Sequence, residues 1–526
     1  MIKSCKKSIL LLIVLVLSGC EPFYDPVDEN DIPPSRGIAW RGQTIEVKKT
    51  AELPYDISDI SRDMSLTELL DIALYNNPST RASWNAAKAA AYEYRTSLAP
   101  YYPTIDYFGS LSAQTNKGFP VAISNSQGIV TAPTATIAEI YRTYLINELS
   151  LNYLLLDFGG RDATAELALQ TLYEANWNHN LEMQEVMLSV LNAYTSYLGN
   201  KALVTANRQN LHDAEVALKA SQVMKSAGLA TLTDLLLSQS NVESTRASLI
   251  QAEGAEKTSL GELLIAVGLP PDSNISIEQL PQALPFIDIS GGISELLEAA
   301  KQNRPDLGAA IAVIKQQEAQ LAISYSNGMP TLSTNAAWAQ TRFISPKGPS
   351  AYEELVSLQV NFPLFQGFYF MNQQRQFRAA IQEALANLDV QLATIYTQVV
   401  TNYYAFKAAE GALPSAESAV EYSERAFRGY VVQYKTGTAS ILDVLTALTT
   451  LSNARYQLVY TRTQWASSLS NLAFSVGLLE DGSGYWINKP PQKSSLPFKD
   501  DDRGESSLRM SEEITAPQAN EEQNEL

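Results

Sequence analysis

The chain has 526 residues, 45% apolar and 18% charged, with 38 basic against 56 acidic side chains and a formal net charge of −18. That balance excludes a mostly disordered chain, and the absence of any Lys/Arg cluster with interleaved aromatics excludes a nucleic-acid binder. Two histidines and two cysteines, none at ligand spacing, leave no support for a zinc site, a Cys/His nucleophile, a disulfide scaffold or a cofactor. An enzyme is therefore not expected.

Residues 1–19 have the build of a secretory signal. Lys3, Lys6 and Lys7 precede an unbroken apolar run, Ile9 to Leu17, too short to cross a bilayer as a helix. The ending Leu17-Ser18-Gly19-Cys20 resembles a bacterial lipobox, which implies cleavage before Cys20 and its acylation with palmitate-type chains. Each buried acyl CH₂ adds about 0.8 kcal/mol, so several chains anchor stably. Glu21 stands where such lipoproteins carry Asp when held at the inner membrane, which favours the outer one. Residues 20–64, acidic and proline-containing, read as an extended lipid-anchored tether.

Beyond residue 65 the chain repeats itself. Pro78 and Pro305, and Pro103 and Pro330, are each 227 apart. Further on, Asn152 and Asn361, Tyr194 and Tyr403, Gly228 and Gly437, Asp234 and Asp443, and Val267-Gly268-Leu269 and Val476-Gly477-Leu478 are each 209 apart. The 18-residue difference falls in one segment between Pro103 and Asn152. A tandem duplication follows: a first repeat at 65–270, a linker at 271–291, a second repeat at 292–479 and a polar, acidic tail at 480–526.

Each repeat has the same predicted plan. A capping box at Ser65–Glu68 starts a helix, and Pro78 restarts it. Period-two alternation follows at 104–113 and 145–153, and again at 331–339 and 355–362. Tyr101, Tyr102, Tyr141, Tyr144, Phe343, Tyr352, Phe365 and Phe368 sit at the strand ends. The alternation fits a membrane barrel wall and equally a soluble sheet with one wet face. After Gly159 and Gly367 the helical period returns for some 65 residues, interrupted by Gly199 in the first half and by Gly411 and Pro414 in the second. That predicts coiled-coil helices of about 100 Å. Gly228 and Gly437 suit left-handed caps. Thr231–Asp234 and Ser440–Asp443 are capping boxes for the return helices.

Two strands per repeat make four per chain, and four cannot close a barrel. Two chains supply eight and three supply twelve; twelve leaves a water-filled lumen.

The duplicated plan, Asn77-Pro78, Leu155-Leu-Asp-Phe-Gly-Gly160 and Tyr434-Lys-Thr-Gly437-Thr-Ala-Ser-Ile-Leu-Asp443 together resemble the TolC-like outer membrane efflux family, in its lipoprotein branch, over about 65–479. The resemblance implies a mixed α/β membrane protein. Its protomer would be one third of a trimeric 12-stranded β-barrel continuous with a long periplasmic α-helical barrel. It implies passive exit of substrates delivered by an inner-membrane pump and a periplasmic adaptor. The same duct could instead serve type I protein secretion. A coiled-coil structural or adaptor lipoprotein without a pore has no need of four amphipathic strands.

Asp443 matches a lumen-facing carboxylate of the family's periplasmic gate, though it also completes a capping box. The second acid three residues on is Thr446 here. Tyr434 matches a gate tyrosine with Asp234 as its acceptor, and ordinary interhelical packing is the other reading. A basic residue found nearby in some relatives is Ala439. Gly228, Thr231, Gly437 and Ser440 mark the hairpin tips where an adaptor would reach.

Overall fold

The computed structural model describes residues 63–120, 137–271, 273, 275–277 and 292–479. The signal segment, Cys20, the tether before residue 63 and the tail lie outside the described residues, as does most of the linker. In chain order the elements are β1 (Asp63–Met64), α1 (Leu66–Asn76), α2 (Pro78–Ser97), β2 (Thr104–Pro120), β3 (Ile137–Leu156), α3 (Gly160–Ser226) and α4 (Leu232–Val267). Then come β4 (Ser276–Ile277), α5 (Gly292–Asn303), α6 (Pro305–Ser326), β5 (Thr331–Ser345), β6 (Ala351–Asn361), α7 (Tyr369–Lys435) and α8 (Ile441–Val476).

The two offsets read from the sequence are reproduced in the elements. α3 and α7 have 67 residues each, and α4 and α8 have 36 each. Both pairs begin and end 209 residues apart. Helix α7 runs unbroken through Gly411 and Pro414.

Local chemistry sets the boundaries. The Ser65 hydroxyl accepts from Glu68 N–H while the Glu68 carboxylate accepts from Ser65 N–H, closing the expected capping box. Pro78 stands at the first position of α2, where its missing N–H costs nothing. The strand-to-helix turns each place two consecutive residues in the left-handed region, Phe158-Gly159 (φ 52° and 87°) and Gly367-Phe368 (φ 60° and 65°). The glycine occupies the second position in one turn and the first in the other. Each turn therefore holds one strained phenylalanine, at a cost on the order of 1 kcal/mol.

The four long strands form one antiparallel sheet, β2-β3-β5-β6. The hairpins superpose by the same offsets: Thr104 pairs with Asn152 and Thr331 with Asn361; Ile105 pairs with Leu151 and Leu332 with Val360. The helices pack side by side. Near the sheet the order is α2-α3-α6-α7; toward the hairpin turns it is α4-α3-α8-α7. Since α3 and α7 run the whole length, each buries different faces at different heights, and no single apolar stripe marks them. The core at the turn end packs Phe427, Tyr434 and Leu448 against Ala214, Ala217 and Ala220, whose small side chains let the helices approach. A second core gathers Leu307, Ile395, Val399, Phe406 and Leu472.

One feature departs from the expected plan. Met64 and Ile277, placed by the sequence reading in the tether and the linker, are buried in a two-residue parallel pairing of β1 with β4.

Candidate functional site: the two-faced sheet and the hairpin tips

Register assigns the side chains to faces. Ile105, Leu151, Ala336 and Val356 stand in one row across the sheet, and Tyr107, Leu149, Trp338 and Glu354 in the next on the same face, which Glu354 makes mainly rather than wholly apolar. Val356, Leu358 and Val360 on this face are exposed in the single chain. On the opposite face Thr104, Asn152, Asn335 and Ser357 form a row, with Asn335 Nδ2 donating to Asn152 Oδ1 at 2.6 Å. Asp106, Glu148 and Glu353 share that face with a minority of apolar groups, Phe108, Ile146 and Leu355. Water on one side and hydrocarbon on the other account for both sets.

Aromatics bound the apolar face. Trp338 lies 6.4 Å from Tyr352 near the start of β6, and Phe365 stacks edge-on to Phe368 at 5.5 Å beyond its end. From Tyr153 to Tyr141 on β3 the strand runs about 40 Å, or about 30 Å of height at a tilt of about 40°, which is the hydrocarbon thickness of a bilayer. Among the described residues β2 and β6 pair on one side only. No described helix is long and apolar enough to cross a membrane.

The strand exit into α3 is tied by Asp157 and Arg161. Asp157 Oδ2 accepts from Arg161 N–H at 2.6 Å, and Arg161 Nη1 donates to the Leu154 carbonyl at 2.8 Å. Ser326 Oγ, at the end of α6, donates to the Asp157 carbonyl at 2.5 Å and joins the halves there. The sequence reading singled out the Leu-Asp-Phe-Gly-Gly run but not this network, whose Ser326 lies 169 residues away.

The tips are duplicates. Gly228 N–H donates to Lys225 O at 3.0 Å and Leu229 N–H to Met224 O at 2.9 Å; Gly437 and Thr438 repeat this onto Tyr434 and Gln433 at 3.0 and 2.9 Å. Gly228 (φ 73°) and Gly437 (φ 79°) are the left-handed residues of these Schellman caps. Thr231 and Ser440 then cap the return helices: Asp234 Oδ2 accepts from Thr231 N–H, and Asp443 Oδ2 from Ser440 N–H, both at 2.8 Å. Asp443 Oδ2 also accepts from the Ser440 hydroxyl at 2.7 Å. The hydroxyl first and the backbone N–H second hold the Asp443 carboxyl below the usual carboxylate range. Asp443 is fully exposed and ionised above that range.

Tyr434 is 5% exposed, packed among Val431, Ile441 and Val444. Its hydroxyl is buried without a hydrogen-bond partner in this chain. Within one chain the Asp234 carboxylate is engaged by Thr231, so the chain does not itself bring Tyr434 and Asp234 together. Thr446 and Ala439 flank the tip as the sequence stands. Among the described residues no group of three His, Cys, Asp or Glu could hold a metal ion.

A membrane-type sheet with two unpaired edges, running directly into helical hairpins of about 100 Å in both halves, defines the class of outer-membrane duct proteins. The chain belongs to the outer membrane efflux protein family, whose profile matches residues 69–269 and 296–478. It is 26% identical over 399 residues to protein CyaE of Bordetella pertussis, covering 75% of this chain and 80% of that one. It is 23% identical over 440 residues to the probable efflux pump outer membrane protein TtgC of Pseudomonas putida, covering 82% and 85%. Its fold matches the crystal structure of the outer membrane protein VceC of Vibrio cholerae with a TM-score of 0.66 at 21% identity, covering 78% and 96%. The protein is thus a component of the outer membrane with its helices in the periplasm.

Proposed function

We propose that three copies of this chain form a duct through which substrates, delivered by an inner-membrane pump and a periplasmic adaptor, leave the cell passively. The observation that carries this reading is the sheet: one apolar face of bilayer height, one wet face, two free edges and four strands. Three such sheets joined edge to edge make a twelve-stranded barrel with room for water, and the polar face of Asn152, Asn335 and Ser357 lines it. The lumen then continues between the long helices.

Cys20 carries the lipid anchor in this reading. The matched tips at Gly228–Thr231 and Gly437–Ser440 are farthest along the helices from the sheet, and the adaptor meets the duct there. Asp443, Tyr434 and Asp234 form the periplasmic gate. A buried tyrosine hydroxyl with no partner in its own chain supports an acceptor supplied by a neighbouring copy, since an orphaned buried hydroxyl costs about 1–3 kcal/mol.

Planar-bilayer recording of the purified protein, with dye retention in cells lacking it, tests the proposal. Ion conductance together with raised dye retention is expected. Absence of conductance overturns the duct. Conductance with unchanged dye retention and loss of an exported protein moves the client to type I secretion.

A further inference from the structure

Helix α6 is wedged between the two longest helices of the chain. On one flank Leu307 joins Ile395 and Val399 of α7 in a buried core. On the other, Gly308 lets α6 close on α3: an added Cβ would stand 2.5 Å from the Trp177 ring. Two strips of α6 are left between these flanks. Ile311, Lys315, Glu318 and Ala322 form one and are exposed. On the opposite side Ala309, Val313, Gln316, Gln320, Ile323 and Asn327 follow one another at intervals of four and three, a single helical stripe.

A cavity lies at each end of this second stripe. The one away from the sheet, about 290 Å³, is lined by Ala309 and Val313 with the amides of Asn178, Asn387 and Gln391. The one beneath the sheet, about 420 Å³, is lined by Ile323 and Asn327 with residues of both strand exits. Its upper wall includes Thr331 and Asn361, which pair across β5 and β6. By alternation these two share the face of Asn335 and Ser357, so the cavity opens on the wet side of the sheet. Both halves of the chain build it, and it is complete within one copy.

The chemistry of the upper cavity selects its occupant. Leu154, Ile323, Met329 and Phe370 give it an apolar body, and Thr164, Asn327 and Asn361 place hydrogen-bonding groups around that body. Its charged groups answer each other: Arg161 Nε lies 3.4 Å from Asp157 Oδ2, and Arg161 Nη1 is held by the Leu154 carbonyl. The wall therefore offers no net charge to a solute. Volume and lining are those of a site for a small organic molecule. We infer that this cavity is a stopping place in the duct wall for an uncharged amphiphilic solute. The apolar part of the solute lies on Ile323 and Phe370, and its polar group meets Asn327 and Asn361. The inference rests on the duct reading above and adds a site and a class of solute.

Thiol labelling of the full chain in lipid nanodiscs tests it, with N-phenyl-1-naphthylamine as the uncharged amphiphile. Ile323→Cys should react with a maleimide above the background of the unsubstituted chain, and saturating probe should slow that reaction severalfold. Lys315→Cys, on the opposite strip of α6, and Ser357→Cys, higher on the wet face, should react at unchanged rates. Adding Thr164→Trp, which fills the cavity, should raise the probe concentration for half-protection about tenfold, equivalent to about 1.4 kcal/mol. No slowing at Ile323→Cys overturns the site. Equal slowing at Ser357→Cys also overturns it, because the probe then obstructs the lumen as a whole. Planar-bilayer recording of the same preparations separates this from the duct: conduction without protection removes the stopping place alone, and absence of conduction removes the duct reading beneath it. If Ile323→Cys prevents folding, seen as loss of heat-modified gel mobility, the exposed Asn327→Cys takes its place under the same criteria.

Discussion

Gly477 rests on the backbone of Asn303: a Cβ at position 477 would stand 2.7 Å from the Asn303 carbonyl carbon and oxygen. Gly268 stands the same way on Asn76, at 2.8 and 2.9 Å. Both glycines are left-handed, with φ of 76° and 80°. Each joint is tied by the residue before the helix-starting proline. Arg304 Nη1 donates to Phe474 O at 3.2 Å, and Asn77 Nδ2 donates to Ala266 O at 3.0 Å. The end of each return helix is thereby fastened to the start of its own repeat.

Replacing either glycine by alanine combines a left-handed Cβ with a backbone clash. Gly477→Ala and Gly268→Ala should each destabilise the chain by about 2–4 kcal/mol. Urea titration of the detergent-solubilised protein, followed by far-UV circular dichroism, measures it.

The Arg455–Asp213 pair joins the halves from nearly buried positions, with Asn210 Oδ1 as a second acceptor at 2.7 Å. Asp213→Ala should cost about 3 kcal/mol, because Arg455 is left with its charge largely uncompensated. The double variant Asp213→Ala/Arg455→Met should cost less than Asp213→Ala alone. A double-mutant cycle gives the coupling.

The sheet faces differ in what they accept. Leu358→Arg, on the apolar face in the same row as Tyr153 near one end of the band, should cost about 1 kcal/mol of membrane insertion. Ser357→Arg, one residue away on the wet face, should insert normally and lower cation conductance. Heat-modified mobility reads the first effect and single-channel recording the second.

Asp443 offers a pH test. Its folded-state pKa is depressed, so the interaction with Ser440 is present above the unfolded-state value and is lost as pH falls through the folded one. If three Asp443 carboxylates line the narrowing, block by divalent cations from the periplasmic side should persist into mild acid. Ser440→Ala should shift its loss to higher pH. Asp443→Asn should weaken block at every pH, and Tyr434→Phe should raise basal conductance. Wild-type block in Asp443→Asn would leave the residue as a helix cap alone.

Cys20→Ser should abolish incorporation of labelled fatty acid. Insertion of the sheet should survive, because its apolar face is a second anchor.

Much of this architecture is written in local and repeated signals. The prolines at 78 and 305, the glycines at 228 and 437 and the capping boxes at 231 and 440 act within a few residues of themselves. They place helix ends within a residue or two of those observed. The offsets of 227 and 209 pass intact into the strand register, because side-chain alternation and hairpin pairing both follow residue count. Tertiary structure decided the rest. Gly268 against Asn76, Arg455 on Asp213 and Ser326 on Asp157 join residues more than 160 apart, and nothing near either partner announces the other. The exposure of Tyr422 and Leu232, against the burial of their repeat counterparts Asp213 and Ile441, emerges only once α3 and α8 are packed together. Sequence periodicity fixes which side of a helix is apolar, but only packing determines which apolar sides the chain covers by itself.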